Sequence, residues 1–282
     1  GTVRLDIFSA TSHDEIQVLG TLNVGGNVQL NFVSSDGVIN GGTIDSVIEY
    51  STLGTVGALN IVHNLGFGYD VAVVDDPTPG ANHYDIVVTP PTFDNSAVDT
   101  GDWSNSGIWD NNSVPAATDI VLINMHAVTH DILYTDTVRA LFLQNGASLA
   151  ISDGTLGIQE QSRVDGSSSL NLNSYGILAV DNELIVEGTM NWNNGSVEGT
   201  GSLNITGTLN LDVGLNTTLD AALVNHGSVT ITGSSVSFLS TDGGAGVLGS
   251  ITNKGTMTVN SSTDFYMPVT NDAGNFNVSG AN

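Results

Sequence analysis

The stretch "GSLNITGTLNLDV", residues 201–213, alternates Leu203, Ile205, Leu209, Leu211 and Val213 with Asn204, Thr206, Asn210 and Asp212. A period of two sends successive side chains to opposite faces of a strand, so one face is aliphatic and the other polar. Gly201, Gly207 and Gly214 punctuate the pattern. The unit is Gly, a small or polar residue, then apolar, polar, apolar.

The same unit recurs in "GTLGI" (154–158), "GILAV" (176–180), "GTMNW" (188–192), "GSVTI" (227–231), "GTMTV" (255–259) and "GNFNV" (274–278). It also stands near the N-terminus, in "GTVRLDI" (1–7), "GTLNV" (20–24) and "GNVQLNF" (26–32). Asparagine precedes the glycine in "NHGSVTI", "NKGTMTV" and "NDAGNFNV". Many spacings fall near the length of a solenoid coil. One coil cannot bury its apolar face, but a stack can, and its stability is roughly a sum of neighbour terms. Glycine would permit positive φ at tight corners. Asparagine can share amide hydrogen bonds with its counterpart one coil away. Even "DTVRALFL" (136–143), the best helix candidate, alternates Val138, Ala140 and Phe142 and reads as strand.

The expected fold is therefore all-β: a parallel β-helix, or β-solenoid, with an inserted β-hairpin cap region. An antiparallel sandwich is the alternative for residues 137–282. A sandwich calls for two-residue Asn-Gly or Asp-Gly hairpin turns, whereas here Asn and Gly mostly precede strands with another residue between them. The expected division is solenoid coils over 1–40, a cap-like hairpin region over 41–91, a linker and N-terminal cap over 92–136, and a solenoid over 137–282. "YDVAVV" and "HYDIVVT" read as paired strands joined by "DDPTPGAN", and Pro90 and Pro91 mark a boundary.

Composition narrows the function. The 282 residues carry 29 acidic side chains against 4 Lys and Arg, a formal net charge of −25. Such a surface repels nucleic acid and anionic lipid, so neither a nucleic-acid partner nor membrane insertion is expected. No apolar run is long enough to span a bilayer and no signal peptide is recognisable. Both ends read as cut from something longer. With no cysteine, disulfides and thiolate metal sites are excluded.

"GTVRLDIFSATSHDEIQVLGTLNVGGNVQLNF", followed by "LGTVGALNIVHNLGFGYDVAVV" and "HYDIVVT", resembles the end of the β-helical passenger of autotransporter-like adhesins. "WSNSGIWDNNSVPAATDIVLIN", followed by "LFLQNGASLAISDGTLGI", is similar to the opening of another coil stack in giant bacterial surface proteins. The resemblance implies an extracellular or cell-surface location and a structural or adhesive role, and it carries no catalytic residues. An end-like segment thus precedes a start-like one. One period of a tandem array, or separate copies stacked head-to-tail, would both give a fibre, because a head-to-tail contact that does not close builds a filament.

Chemistry finds few candidates. A polysaccharide lyase needs a cationic base, and Arg4, Arg139, Arg163 and Lys254 are scattered. A glycosidase needs two carboxylates on one face. Asp75 and Asp76 sit beside a proline turn, and Glu183 and Glu187 read as a coil edge. His126 and His130 share strand parity but stand too far apart along a strand for one ion, and are expected at the surface or half-buried. His13, His63, His83 and His226 read as isolated. No catalytic or metal-binding residue is assigned, and no cofactor is expected. A structural calcium ion is the remaining candidate, on Asp99, Asp102, Asp110 and Asp119 with Asn111 and Asn112, since hard oxygen ligands from a loop suit calcium. Solvated turn acids are the plainer reading. Trp103 and Trp109 would form either a lid on the first coil or a platform for a surface glycan. The expected function is a non-enzymatic structural module of a bacterial surface protein. A glycan-binding adhesin module and a polysaccharide-degrading enzyme are the alternatives.

Overall fold

A computed structural model describes residues 2–9, 12–13, 16–32, 42–63, 69–76, 82–173, 175–212, 217–232, 236–239, 249–260 and 263–279. The chain is nearly all β, with 63% of it in strands, and its parallel sheets stack as a β-solenoid of about 7 turns. It divides into two compact units, Gly1–Thr92 and Phe93–Asn282. No helix among the described residues is long and apolar enough to cross a membrane.

The first unit is a six-stranded sheet of β1 (Thr2–Ser9), β2 (Ser12–His13), β3 (Ile16–Phe32), β4 (Gly42–His63), β5 (Asp70–Asp75) and β6 (His83–Thr89), in the order β2-β1-β3-β4-β6-β5. β1, β3 and β4 run parallel, with Val3 beside Val28, Leu5 beside Leu30 and Val28 beside Ile61. The copies "GTVRLDI" and "GNVQLNF" are thus stacked in register. The parallel ladder continues past residue 41 into β4, and β5 and β6 close the sheet as an antiparallel hairpin. A small core of Ile44, Val47, Val71, Ile86 and Val88 lies under that hairpin. The turn inside "DDPTPGAN", at 77–81, lies outside the described residues.

The second unit explains the irregular spacing of the repeat. Its coil has three faces, and the glycine signature occurs on all of them. In residues 201–212 Ser202–Ile205 lies on one face and Thr208–Leu211 on the next, so one stretch spells two sides of a single coil. Leu203, Ile205, Leu209 and Leu211 are all buried, as the alternation requires; Val213 lies outside the described residues. Face 1 runs from Asn95–Ala97 to Val269–Asn271 as a nine-stranded sheet. Faces 2 and 3 are continuous through the long strand Ser148–Ile158, whose first half pairs with Ser169–Leu172 and whose second half pairs with Ile177–Val180. Every strand pairing from one coil to the next is parallel, so a sandwich is ruled out for this unit. Column after column of Leu, Ile, Val and Met fills one dry interior. Each such side chain contributes about 1.5–3 kcal/mol by leaving water.

The segment 136–143 is strand, as its alternation predicts, but a corner at Arg139 changes the parity. Val138, Leu141 and Leu143 enter the core, while Phe142 turns outward and is covered edge-on by Phe93, with centroids 5.5 Å apart.

The glycines ahead of face 2 have a different reason from the expected one. Gly188, Gly207, Gly227, Gly255 and Gly274 are absent from the positive-φ positions, which are Gly146, Gly154, Gly195 and Gly199. A Cβ at Gly227 would overlap the carbonyl oxygens of Gly207 and Thr206 below it, and a Cβ at Gly255 would overlap the carbonyl of Gly227. The column exists because each corner sits directly on the backbone of the previous coil. The requirement is close approach, not torsion.

The asparagines ahead of these glycines form a ladder whose first two members, Asn225 and Asn253, are fully buried. Asn225 Nδ2 donates to Asn253 Oδ1 at 2.7 Å, and Asn253 Nδ2 donates to Asn271 Oδ1 at 2.6 Å. Asn225 also donates to the Thr256 carbonyl, and Asn253 to that of Asn275. Below Asn225 the same column holds Ile205 and Val186. The Ile205 side chain has no N–H to offer, and Asn225 Oδ1 is left buried and unpaired. Asn253→Ala removes the middle rung and leaves the buried Asn225 amide without its side-chain acceptor. The expected loss is about 2–3 kcal/mol, read as a lower melting temperature with faster amide exchange in residues 250–279. A melting curve identical to that of the parent would show that the ladder carries no net stability.

Candidate functional site

The first unit brings together three chemistry-bearing side chains. On β6, Tyr84, Ile86 and Val88 face the core, so His83 and Asp85 share the opposite face by parity. Asp75 pairs with Tyr84 across the hairpin, which sets Asp76 beside His83. His83 Nε2 lies 3.1 Å from Asp76 Oδ2 and 3.3 Å from Asp85 Oδ1. The three ligand atoms all lie within 4.8 Å of one another.

β4 holds this arrangement in place. The β4–β6 register shifts between Ile44 and Ile48, and the bulged residue Ser46 adopts φ 57. That left-handed conformation is uncommon for a residue with a Cβ. It frees the Ser46 N–H from the ladder to donate to Asp85 Oδ1 at 2.9 Å. Asp85 is only 8% exposed. Asp75 points the other way, and Tyr50 Oη donates to its Oδ1 at 2.6 Å. This bond to a carboxylate, helped by burial, pushes the Tyr50 hydroxyl up to about 12. Burial also pushes Tyr84 upward.

These findings correct one expectation, because His83 is not isolated. Asp75 and Asp76 diverge to different partners, as adjacent residues of a strand do. The sequence signal was present as Asp76 facing "HYD" across the hairpin, but the bulge that delivers the Ser46 amide has no signature in the letters.

Other candidates are absorbed by architecture. Glu183 accepts from Gln161 Nε2 at 2.6 Å and from Asn204 Nδ2 at 3.2 Å, one coil to either side. Glu187 takes Arg163 with Nη2 at 2.7 and 2.6 Å from its two oxygens. Arg139 pairs with Glu160 at 3.4 Å. Two of the four Lys and Arg thus tie coils together. The side chain of Arg4 lies outside what is described.

In 92–124 three of the candidate acids accept backbone N–H groups. Asp110 accepts from Ser96 N, Asp119 from Ala116 N and Asp99 from Thr100 N. Asn111 Oδ1 accepts from Ser113 N. Trp103 and Trp109 are buried, edge to face at 5.1 Å and 73°. Trp109 Nε1 donates to the Trp103 carbonyl at 2.9 Å. Both belong to the core that lines the first coils, so neither offers a ring face to a sugar.

His126 is half-buried and lies in the corner just before the strand Ala127–Val138. His130 departs from expectation because it is fully buried. Its Nδ1 lies 3.1 Å from the Asp153 carbonyl and its Nε2 lies 3.1 Å from Asp136 Oδ2. Both ring nitrogens face acceptors, and the ring packs on Trp103 at 5.8 Å. The strand bends at a register shift beyond His130, and only that bend folds Asp136 back onto the imidazole.

Sequence reading also missed a stacked acidic pair. Val197 lies beside Leu219 in the ladder, which places Glu198 beside Asp220 one coil on. Burial pushes the Glu198 carboxyl above its usual range, and the Asp220 charge adds to the shift.

Comparison with protein-family models, curated proteins and solved structures returned no match. The site and the architecture are therefore interpreted from their own geometry.

Proposed function

We propose that this chain is a non-enzymatic structural module of an extracellular bacterial surface protein of the autotransporter-like adhesin kind, whose task is to be long, stiff and resistant. Its units stack head-to-tail, as tandem copies or as separate chains, into a fibre or sheath. One observation carries the reading. In the final coil Val269, Phe276 and Val278 are 37%, 38% and 57% exposed, while Ile251, Met257 and Val259 one coil below are buried. Val269–Asn271 and Asn275–Val278 end their ladders, so each has a partner strand on one side only among the described residues. An unpaired parallel edge with apolar side chains is a template for another strand.

The other end of this unit is different, because Trp103 and Trp109 cover its first coils. The strand that we propose seats on the open coil of another copy is β1, the "GTVRLDI" strand. Its residues 2–5 have a ladder partner on one side only among the described residues, and its spacing matches "GNFNV". The outer faces support the reading through inter-coil amide ladders such as Asn171–Asn191–Asn210, at 2.8 and 3.0 Å.

Sedimentation velocity and electron microscopy across a concentration series test the proposal. Rods that lengthen with concentration are expected, and Phe276→Asp with Val278→Asp should leave single particles. Single particles of the parent chain at millimolar concentration would refute self-stacking. Glycan-array binding without self-association would favour an adhesive module instead.

A further inference from the structure

We infer that Asp76, His83 and Asp85 form a binding site for a divalent transition-series cation such as Zn2+, clamping the β5–β6 hairpin onto the bulge of β4. This goes beyond the fibre reading and does not depend on it.

The first argument is geometric. Zn2+ bonds of the usual length, set at tetrahedral angles, place neighbouring ligand atoms about 3.3 Å apart. His83 Nε2 already stands 3.1 Å from Asp76 Oδ2 and 3.3 Å from Asp85 Oδ1. The two carboxylate oxygens lie within 4.8 Å of one another, and their mutual repulsion is what an ion between them would remove.

The second argument is valence. An imidazole Nε2 carries at most one proton, yet here it faces two carboxylate oxygens. One hydrogen cannot fully satisfy both. A cation accepts lone pairs from all three atoms at once.

The third argument is charge. Asp85 is nine-tenths buried, and a buried carboxylate needs a compensating positive group. Arg4 is the only Lys or Arg in residues 1–92, and the next along the chain is Arg139. Glu49, which pairs with His83 from the β4 side, adds another acid nearby. Ser46 N–H fixes Asp85 Oδ1 from behind, the kind of outer-shell bond that orients a metal ligand. The side chains of Asp76 and His83 are each 21% exposed, so water can reach the ion and complete its shell. One nitrogen with two carboxylate oxygens suits Zn2+, Co2+ or Mn2+ better than Ca2+, which prefers six to eight oxygens.

The test uses the full chain with Zn2+ alone, then Co2+ as a coloured probe. Titration calorimetry should show one Zn2+ per chain at this site, with a raised melting temperature. Co2+ should show visible absorption bands of a low-coordinate nitrogen–oxygen site. His83→Ala and Asp76→Asn should each weaken Zn2+ binding by about 100-fold or more. Both alter partly exposed side chains, and circular dichroism verifies that the variants remain folded. Zn2+ binding that persists in both variants would place the ion elsewhere and overturn the inference. So would no Zn2+ binding by the parent chain, or saturation of the trio by Ca2+ in preference to Zn2+. Filament formation is read separately by electron microscopy, so failure of either idea leaves the other standing.

Discussion

Leu209→Asp is expected to melt several neighbouring coils at once. Leu209 is fully buried on face 2, with Met190 in the coil below and Val229 in the coil above, both also buried. The substitution removes about 2–5 kcal/mol of packing and places a carboxylate where no cationic group waits. In a stack of coils the damage is local, because each coil contacts only its neighbours. The total loss, about 5 kcal/mol or more, rivals the whole stability of an ordinary domain. Hydrogen exchange should become fast in residues 189–231 and remain slow in the first coils. Thr230→Asp, on the outward face of the neighbouring strand Ser228–Ile231, is the matched control and should shift the melt only slightly. If Leu209→Asp melted at the parent temperature, the interior assigned to this column would be wrong.

Trp109→Ala should open the lid at the other end of the second unit. Trp109 fills space against Trp103 and, through Nε1, holds the Trp103 carbonyl. Large aromatic truncations in a core cost about 3–5 kcal/mol. The loss should fall on the coils it covers, those around Val121, Ile123 and Val128. Fluorescence offers a direct reading. All three tryptophans are buried in the folded chain, so its emission is blue. Without the lid, Trp103 meets water and shifts red, while Trp192, packed between Leu172 and Leu211, remains an internal reference. Trp109→Phe keeps most of the apolar body but loses the hydrogen bond, and should fall between. An unchanged spectrum and melt in Trp109→Ala would mean that the lid is ornamental to the core.

Both predictions rest on residues whose inward orientation was legible before any coordinates. Alternation named Leu203, Ile205, Leu209 and Leu211 as interior, and the Asn-before-glycine copies foretold the ladder of Asn225, Asn253 and Asn271. The paired strands "YDVAVV" and "HYDIVVT" were equally plain. Each of these signals is local: period two, turn chemistry and amide stacking act over a few residues or between identical positions of a repeat.

Other features depended on where separate coils and strands meet. Alternation could not say which of three faces a strand joins, because every face wants the same inward Leu and outward Asn. It attributed the glycine column to backbone torsion, whereas carbonyls of the preceding coil are what exclude a Cβ at Gly227. It placed His130 at the surface or half-buried, since a strand's parity gives no hint of the bend that returns Asp136 to it. The Asp76–His83–Asp85 cluster was invisible for a related reason. Its partners come from two sides of a hairpin, and the bulge at Ser46 alone aims the third strand's amide at Asp85. Sequence by itself determined a parallel, layered, acidic stack, because hydrophobic periodicity is written residue by residue. Tertiary structure decided the corners, the buried histidine and the candidate ion site, because close approach between distant backbones is a property of the packed chain alone.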